Sequence, residues 1–154
     1  MWQTIGVLGG VALGAGLTYW IQRSLATAAI QARWAERAAD ALADLEILLT
    51  DAHPDRVAFN MDRETIAGDV ASLRDRGTLV RREVAVLAVG HPDATIRTDA
   101  KALQVGIFNA LGSLGGFMRD MVQHADTDDS RVEALKDHGS VRELAEKITD
   151  HLHS

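Results

Sequence analysis

The chain has 154 residues, a formal net charge of −6 and no cysteine. That length allows one domain with a real core beside an N-terminal segment, and the acidic balance argues against nucleic-acid binding by bulk field. Without cysteine there is no disulfide framework and no CxxC pair, and a reducing compartment is compatible with the composition.

The N-terminal segment MWQTIGVLGGVALGAGLTYWIQR holds 21 residues, Trp2 to Gln22, without an ionisable side chain. As a helix that run is about 31 Å long, roughly one hydrocarbon thickness. Trp2 at one end and Tyr19 and Trp20 at the other suit the two headgroup regions, and Arg23 ends the run. The spacing predicts a single transmembrane helix over residues 1–23. A cleaved signal would need a basic start, which is missing, although Ala26-Thr27-Ala28 imitates a cleavage site. Basic residues Arg23, Arg33 and Arg37 follow the run and none precedes it. The positive-inside bias therefore places the N-terminus outside and residues 24–154 in the cytoplasm. Gly6, Gly10 and Gly14 recur at four, two overlapping GxxxG steps that form a glycine zipper and predict self-association of the spans into a homo-oligomer.

Residues 24–50, SLATAAIQARWAERAADALADLEILLT, continue without a break to Pro54. Ile30, Trp34, Ala38, Ala41, Leu45 and Leu48 mark one helical stripe, so the span runs straight into a rod of about fifty residues. A second helix is expected from near Asp62. Its seam, Ile66, Val70, Leu73, Gly77, Val80, Val84 and Leu87, alternates by four and three like a coiled coil. Gly77 on that seam permits a close crossing, and Gly90 offers a C-terminal stop. The third helix is expected from Pro92 or Asp93 to about Gln123, with Ile96, Ala100, Leu103, Ile107, Leu111, Leu114, Met118 and Met121 inward. Ala102 to Met118 is uncharged for 17 residues but carries Gln104, Asn109, Ser113 and four glycines, which suits a central bundle helix better than a second span. After an Asp126–Ser130 loop, Ser130 with Glu133 and Ser140 with Glu143 fit capping boxes. Two short helices are expected, near 131–138 and 141–152, broken at Gly139. The fold class is all-α: a transmembrane helix continuing into an antiparallel bundle of about four helices, with no strand signal.

His-Pro-Asp occurs twice, at 53–55 and 91–93. The tripeptide resembles the loop of J-domain co-chaperones, which stands after a basic helix; here the preceding DLEILLTDA is acidic. The second copy, within VAVLAVGHPDATIRTDAKAL, is similar to a HEAT-type turn, but a solenoid needs three stacked repeats. Both copies read as helix starts, with Pro in the first turn and Asp at the positive helix end.

His124, Asp126, Asp128 and Asp129 fail the EF-hand pattern, which needs Gly where Arg131 stands and Glu where Asp137 stands. Arg74, Arg76, Arg81 and Arg82 are interleaved with Asp69, Asp75 and Glu83 and read as a salt-bridged face. Phosphate loops, serine elbows and HExxH are missing, so no catalytic, cofactor-binding or metal residue and no cofactor is assigned. The composition resembles that of GC-rich bacterial genomes. The expectation is a membrane-anchored, self-associating helical scaffold or adaptor with a cytoplasmic protein partner and no enzymatic activity. The alternative is a regulatory bundle that binds a small molecule near its Gly-rich third helix.

Overall fold

The computed structural model describes the backbone of residues 2–60, 66–123 and 126–153 and the side chains of residues 19–58, 68–123 and 126–153. Five helices follow one another: α1 (Trp2–Asp51), α2 (Pro54–Asn60), α3 (Ile66–Gly90), α4 (Ala94–Gln123) and α5 (Asp128–His153). No strand occurs among the described residues. The chain divides into two compact units, Met1–Glu36 and Arg37–Ser154.

The first unit is helix alone. Two of its described hydroxyls close onto the helix backbone: Ser24 donates to the Ile21 carbonyl (2.8 Å) and Thr27 to that of Arg23 (3.0 Å). Such back-bonding lets hydroxyls sit in a helix without competing for it. Tyr19, Trp20, Leu25 and Ile30 are more than half exposed. The expected stripe is therefore buried only from Ala38 onward, and Ile30 is not part of the core.

The second unit holds the core. The end of α1 contributes Ala38, Ala41, Leu45 and Leu48, and α3 contributes Leu73, Val80, Val84 and Leu87, all buried as their periodicity requires. α4 adds Ile96, Ala100, Leu103, Ile107, Leu114 and Met118, whereas Leu111 and Met121 are only half-buried. α5 adds Ala134, Val141 and Ile148. Burying a side chain of this size contributes about 2 kcal/mol. Cross-helix contacts fix the directions. Arg37 meets Glu83 and Asp51 meets Arg76, so α1 and α3 are antiparallel. Glu46 meets Arg142, and the Leu49 carbonyl meets His138, so α1 and α5 are antiparallel too. Gln104 donates to the Arg81 carbonyl while Gly77 faces Leu111, and Lys147 reaches Asp99 while Gly106 faces Val141, giving the same relation for α3 with α4 and α4 with α5.

Two glycines set helix spacing. A β-carbon on Gly77 would meet the end of the Leu111 side chain, which would have to turn aside, so glycine there lets Leu111 of α4 lie directly on α3. A β-carbon on Gly106 would lie 3.2 Å from Val141 Cγ2, so α5 approaches α4 closely at that point.

Three expectations are corrected. The C-terminal part is one helix, α5, running through Gly139 without a break. A single glycine costs a helix about 1 kcal/mol, and His138 and Val141, buried on either side of it, offset that. Ser140 is consequently inside the helix and starts nothing. The start of α5 is instead Thr127, whose carbonyl accepts from Arg131 N–H (2.9 Å), so Ser130 too is inside the helix. Finally, α2 is a seven-residue helix between the expected first and second ones. The expected start near Asp62 and the side chain of Ile66 lie outside the described residues.

Candidate functional site

The two His-Pro-Asp corners share one local device. In each, the histidine Nδ1 accepts the N–H of the aspartate two residues on: Asp55 to His53 at 3.3 Å and Asp93 to His91 at 3.1 Å. A ring nitrogen that accepts carries no proton, so in both residues the neutral imidazole keeps its proton on Nε2.

Beyond that the corners diverge. At the second, Asp93 caps α4, its Oδ1 accepting from Thr95 N–H (2.6 Å) and Ile96 N–H (3.3 Å). Those two bonds hold the Asp93 carboxyl below the usual carboxylate range. His91 is buried, and desolvation pulls its pKa below the ordinary imidazole value. Arg97 Nη1 closes the turn with bonds to the carbonyls of His91 (2.6 Å) and Pro92 (2.9 Å). At the first corner His53 takes the capping place, its carbonyl accepting from Val57 N–H (3.0 Å), while Asp55 turns outward to Arg131.

The first corner is also where polar groups converge on the end of α1. The last carbonyls of a helix lack intrahelical donors. Here His138 of α5 takes that of Leu49 (3.0 Å), and Arg56 of α2 approaches that of Thr50 (3.4 Å). A carbonyl can only accept, so His138 Nε2 carries the proton. The His138 ring stands edge-on to His53, with centroids 4.8 Å apart. Asp51 is shared by Arg76 (2.8 Å) and Arg56 (3.2 Å).

Two cavities open on this junction, and Arg56 lines both. One of about 300 Å³ lies among Asp51, Arg56, Asp69 and Arg76, with Leu73 on its apolar side. The other, of about 250 Å³, lies among Glu46, Leu49, His53, Arg56, His138 and Arg142. Beside the Gly-rich part of α4, at Leu111, Leu114 and Gly115, the space is only about 20 Å³, room for little more than a water. Among these three cavities the two larger ones lie at the end of α1.

A separate polar cluster joins α4 to α5. Asp99 is buried, with Lys147 Nζ 2.7 Å from Oδ1 and His151 Nδ1 3.3 Å from Oδ2. The cluster pins the last turns of α5 to the first turns of α4.

The side chains of Trp2, Gly6, Gly10 and Gly14 lie outside the described residues; their backbone is part of α1. Tyr19, Trp20 and Arg23 are exposed. The arginine cluster is divided: Arg76 turns to Asp51, Arg81 lies over the Phe108 ring at 5.1 Å, and Arg74 and Arg82 face outward. His124 lies outside the described residues, and Asp126 accepts from Asp128 N–H (3.2 Å) as a turn residue. No group of three metal-ligating side chains occurs among the described residues. Likewise, among them no helix is long and apolar enough to cross a membrane, so the expected span rests on the sequence of residues 2–22 alone. The junction of Arg56, Arg142, His53 and His138 was not found from sequence. The first His-Pro-Asp was the one signal that touched it. Compared with known proteins, the chain matches no family model, no curated sequence and no solved structure.

Proposed function

We propose that this protein is a membrane-anchored helical adaptor, with α1 serving both as anchor and as first helix of the bundle. The observation that carries this reading is the uncharged run from Trp2 to Gln22, which continues in the same 50-residue helix that supplies Leu45 and Leu48 to the core. The exposure of Tyr19, Trp20 and Leu25 supports it, because apolar and aromatic groups left uncovered by the protein suit a lipid interface. Gly6, Gly10 and Gly14 are the face through which two anchors pair. The bundle stays on the cytoplasmic side and holds a protein partner there.

A cysteine placed at Ser154 tests the placement, since the chain has no other. In intact cells an impermeant maleimide leaves it unlabelled until the cells are broken; labelling of whole cells overturns the orientation. Resistance of the full chain to alkaline carbonate extraction tests the anchor itself. Cross-linking of the Gly10→Leu, Gly14→Leu variant tests the pairing, which fails if the variant cross-links as well as the parent.

A second reading, a regulatory bundle that binds a small molecule, is favoured by the two cavities that meet at Arg56. Melting of the full chain in detergent against metabolite mixtures checks it, and an unmoved transition across all of them counts against it.

A further inference from the structure

We propose that the 250 Å³ cavity between the end of α1, α2 and α5 is a binding site for a phosphate monoester, held by Arg56, Arg142 and the Nε2–H of His53. The proposal deepens the ligand-binding reading by naming the chemical class and the residues.

Charge distinguishes this cavity from its neighbour. The larger cavity is lined by two arginines and two aspartates, which balance. The smaller one is lined by Arg56 and Arg142 against a single carboxylate, Glu46, a surplus of positive charge in a chain whose net charge is −6. Arg56 also lines the larger cavity, so over the two together three arginines face three carboxylates; what favours the smaller one is that Asp51, 3.2 Å from Arg56, does not line it and is shared with Arg76 at 2.8 Å. Arg142 holds Glu46 at 2.9 Å, with both side chains about half exposed, so the guanidinium already grips a carboxylate that solvent reaches. Exposed pairs of this kind are weak and exchange partners readily. A guanidinium presents paired donors that match phosphate oxygens.

Tautomers supply the third donor. His53 spends Nδ1 on Asp55 N–H, so Nε2–H remains on a ring that lines the cavity. His138 is different: its Nε2–H is spent on the Leu49 carbonyl, and its role is to neutralise that carbonyl and brace the His53 ring. The Thr50 carbonyl is likewise approached by Arg56. The helix end that would repel an anion is thus covered on the cavity side. Leu49 gives an apolar wall for the body of an ester. A dianionic monoester satisfies two guanidiniums where a monoanionic carboxylate satisfies one.

The full chain is titrated with glycerol 3-phosphate in maltoside micelles, in a phosphate-free buffer, while the His53 and His138 ring signals are followed by NMR. The expected result is a saturable shift of the His53 signals, with acetate needing at least about tenfold higher concentration. Arg56→Gln and Arg142→Gln each weaken binding by about tenfold, the size of a lost charge-assisted hydrogen bond. Glu46→Gln removes the competing carboxylate and tightens binding by about fivefold, an effect that a merely structural role for these residues does not produce. All three positions are half exposed, so the variants keep the fold. Unchanged affinity in both arginine variants, weaker binding in Glu46→Gln, or acetate equal to the ester overturns the proposal, even where some other ligand still raises the melting temperature. A second arm places the chain in nanodiscs without soluble phosphate. If phosphatidic acid moves the same signals and phosphatidylglycerol does not, the monoester is a lipid headgroup; if only the soluble ester moves them, it is a free metabolite. If neither does, the site is overturned.

Discussion

The same tripeptide, His-Pro-Asp, starts α2 and α4, yet the two corners are held in different ways. The second is closed by bonds that reach no further than six residues: Asp93 to Thr95 and Ile96, and Arg97 to His91 and Pro92. The first is closed from α5, by Arg131 on Asp55 and by His138 on Leu49, contacts 76 and 89 residues apart in sequence. The partner decides the aspartate's role. Where a distant arginine takes the carboxylate, the helix starts two residues earlier in the motif and histidine caps it. Where none does, aspartate caps. Identical letters therefore do not predict identical helix starts when a long-range ion pair competes with a local cap.

The largest effect expected at either corner is loss of His138. It is buried, donates to the Leu49 carbonyl and backs the His53 ring. His138→Ala leaves that carbonyl without its donor and opens a void, costing about 2 kcal/mol in chemical denaturation. If the first corner were self-sufficient like the second, the variant would unfold at the parent's midpoint.

Next in size is the cap of the second corner. Asp93→Ala removes two bonds from the first turn of α4, and thermal unfolding is expected about 3 °C lower. Asp93→Asn, which keeps an accepting oxygen, recovers most of the loss. Asp55→Ala, the same change in the same tripeptide, moves the transition much less.

The second corner also carries a pH dependence. Burial lowers the pKa of His91, so the folded state favours its neutral form. Between the lowered folded value and the ordinary one, the unfolded chain binds more protons, and stability there rises with pH. The contribution is complete above the ordinary imidazole range and is lost as pH falls through the folded pKa. His91→Asn keeps an acceptor for Asp93 N–H and has no proton to gain. Its denaturation midpoint is expected to fall less than the parent's as pH drops below 6. A parent and a variant with parallel profiles would show that burial of His91 has no energetic weight.

What could be read in advance follows the same division between local and distant. The α3 seam from Leu73 to Leu87 and the α4 positions Ile96, Leu103 and Ile107 were legible because a helix that packs on one side repeats its apolar residues every three or four. Gly77 was legible as a crossing point for the same reason. Gly139 misled, because the Ser140–Glu143 capping box after it reads as a new helix start; His138 on the Leu49 carbonyl and Val141 against Gly106 hold the one helix on either side of it. Asp99 was invisible, since an aspartate inside an apolar stripe reads as solvent-facing, and the groups that make its burial tolerable, Lys147 and His151, lie in another helix, Lys147 48 residues on. The arginines and histidines at the end of α1 were scattered over three helices, and no spacing rule brings Glu46, His53, Arg56 and Arg142 together.

The smallest effect bears most directly on the competition at Asp55. Arg131 contacts Asp55 Oδ1 through Nε (2.9 Å) and Nη2 (2.6 Å), but both side chains are about half exposed. Solvent screens such a pair, so a double-mutant cycle with Asp55→Asn and Arg131→Gln should return a coupling of about 0.5 kcal/mol. The sharper readout is the α2 start in Arg131→Gln. With its arginine removed, Asp55 becomes free to accept from backbone N–H groups, as Asp93 does. The scalar coupling across the bond from Val57 N–H to the His53 carbonyl should then vanish, because an Asp55 cap takes that N–H as Asp93 takes that of Thr95. An unchanged coupling would mean that the proline's place in the first turn fixes the start of α2, and that the ion pair follows the helix start without setting it.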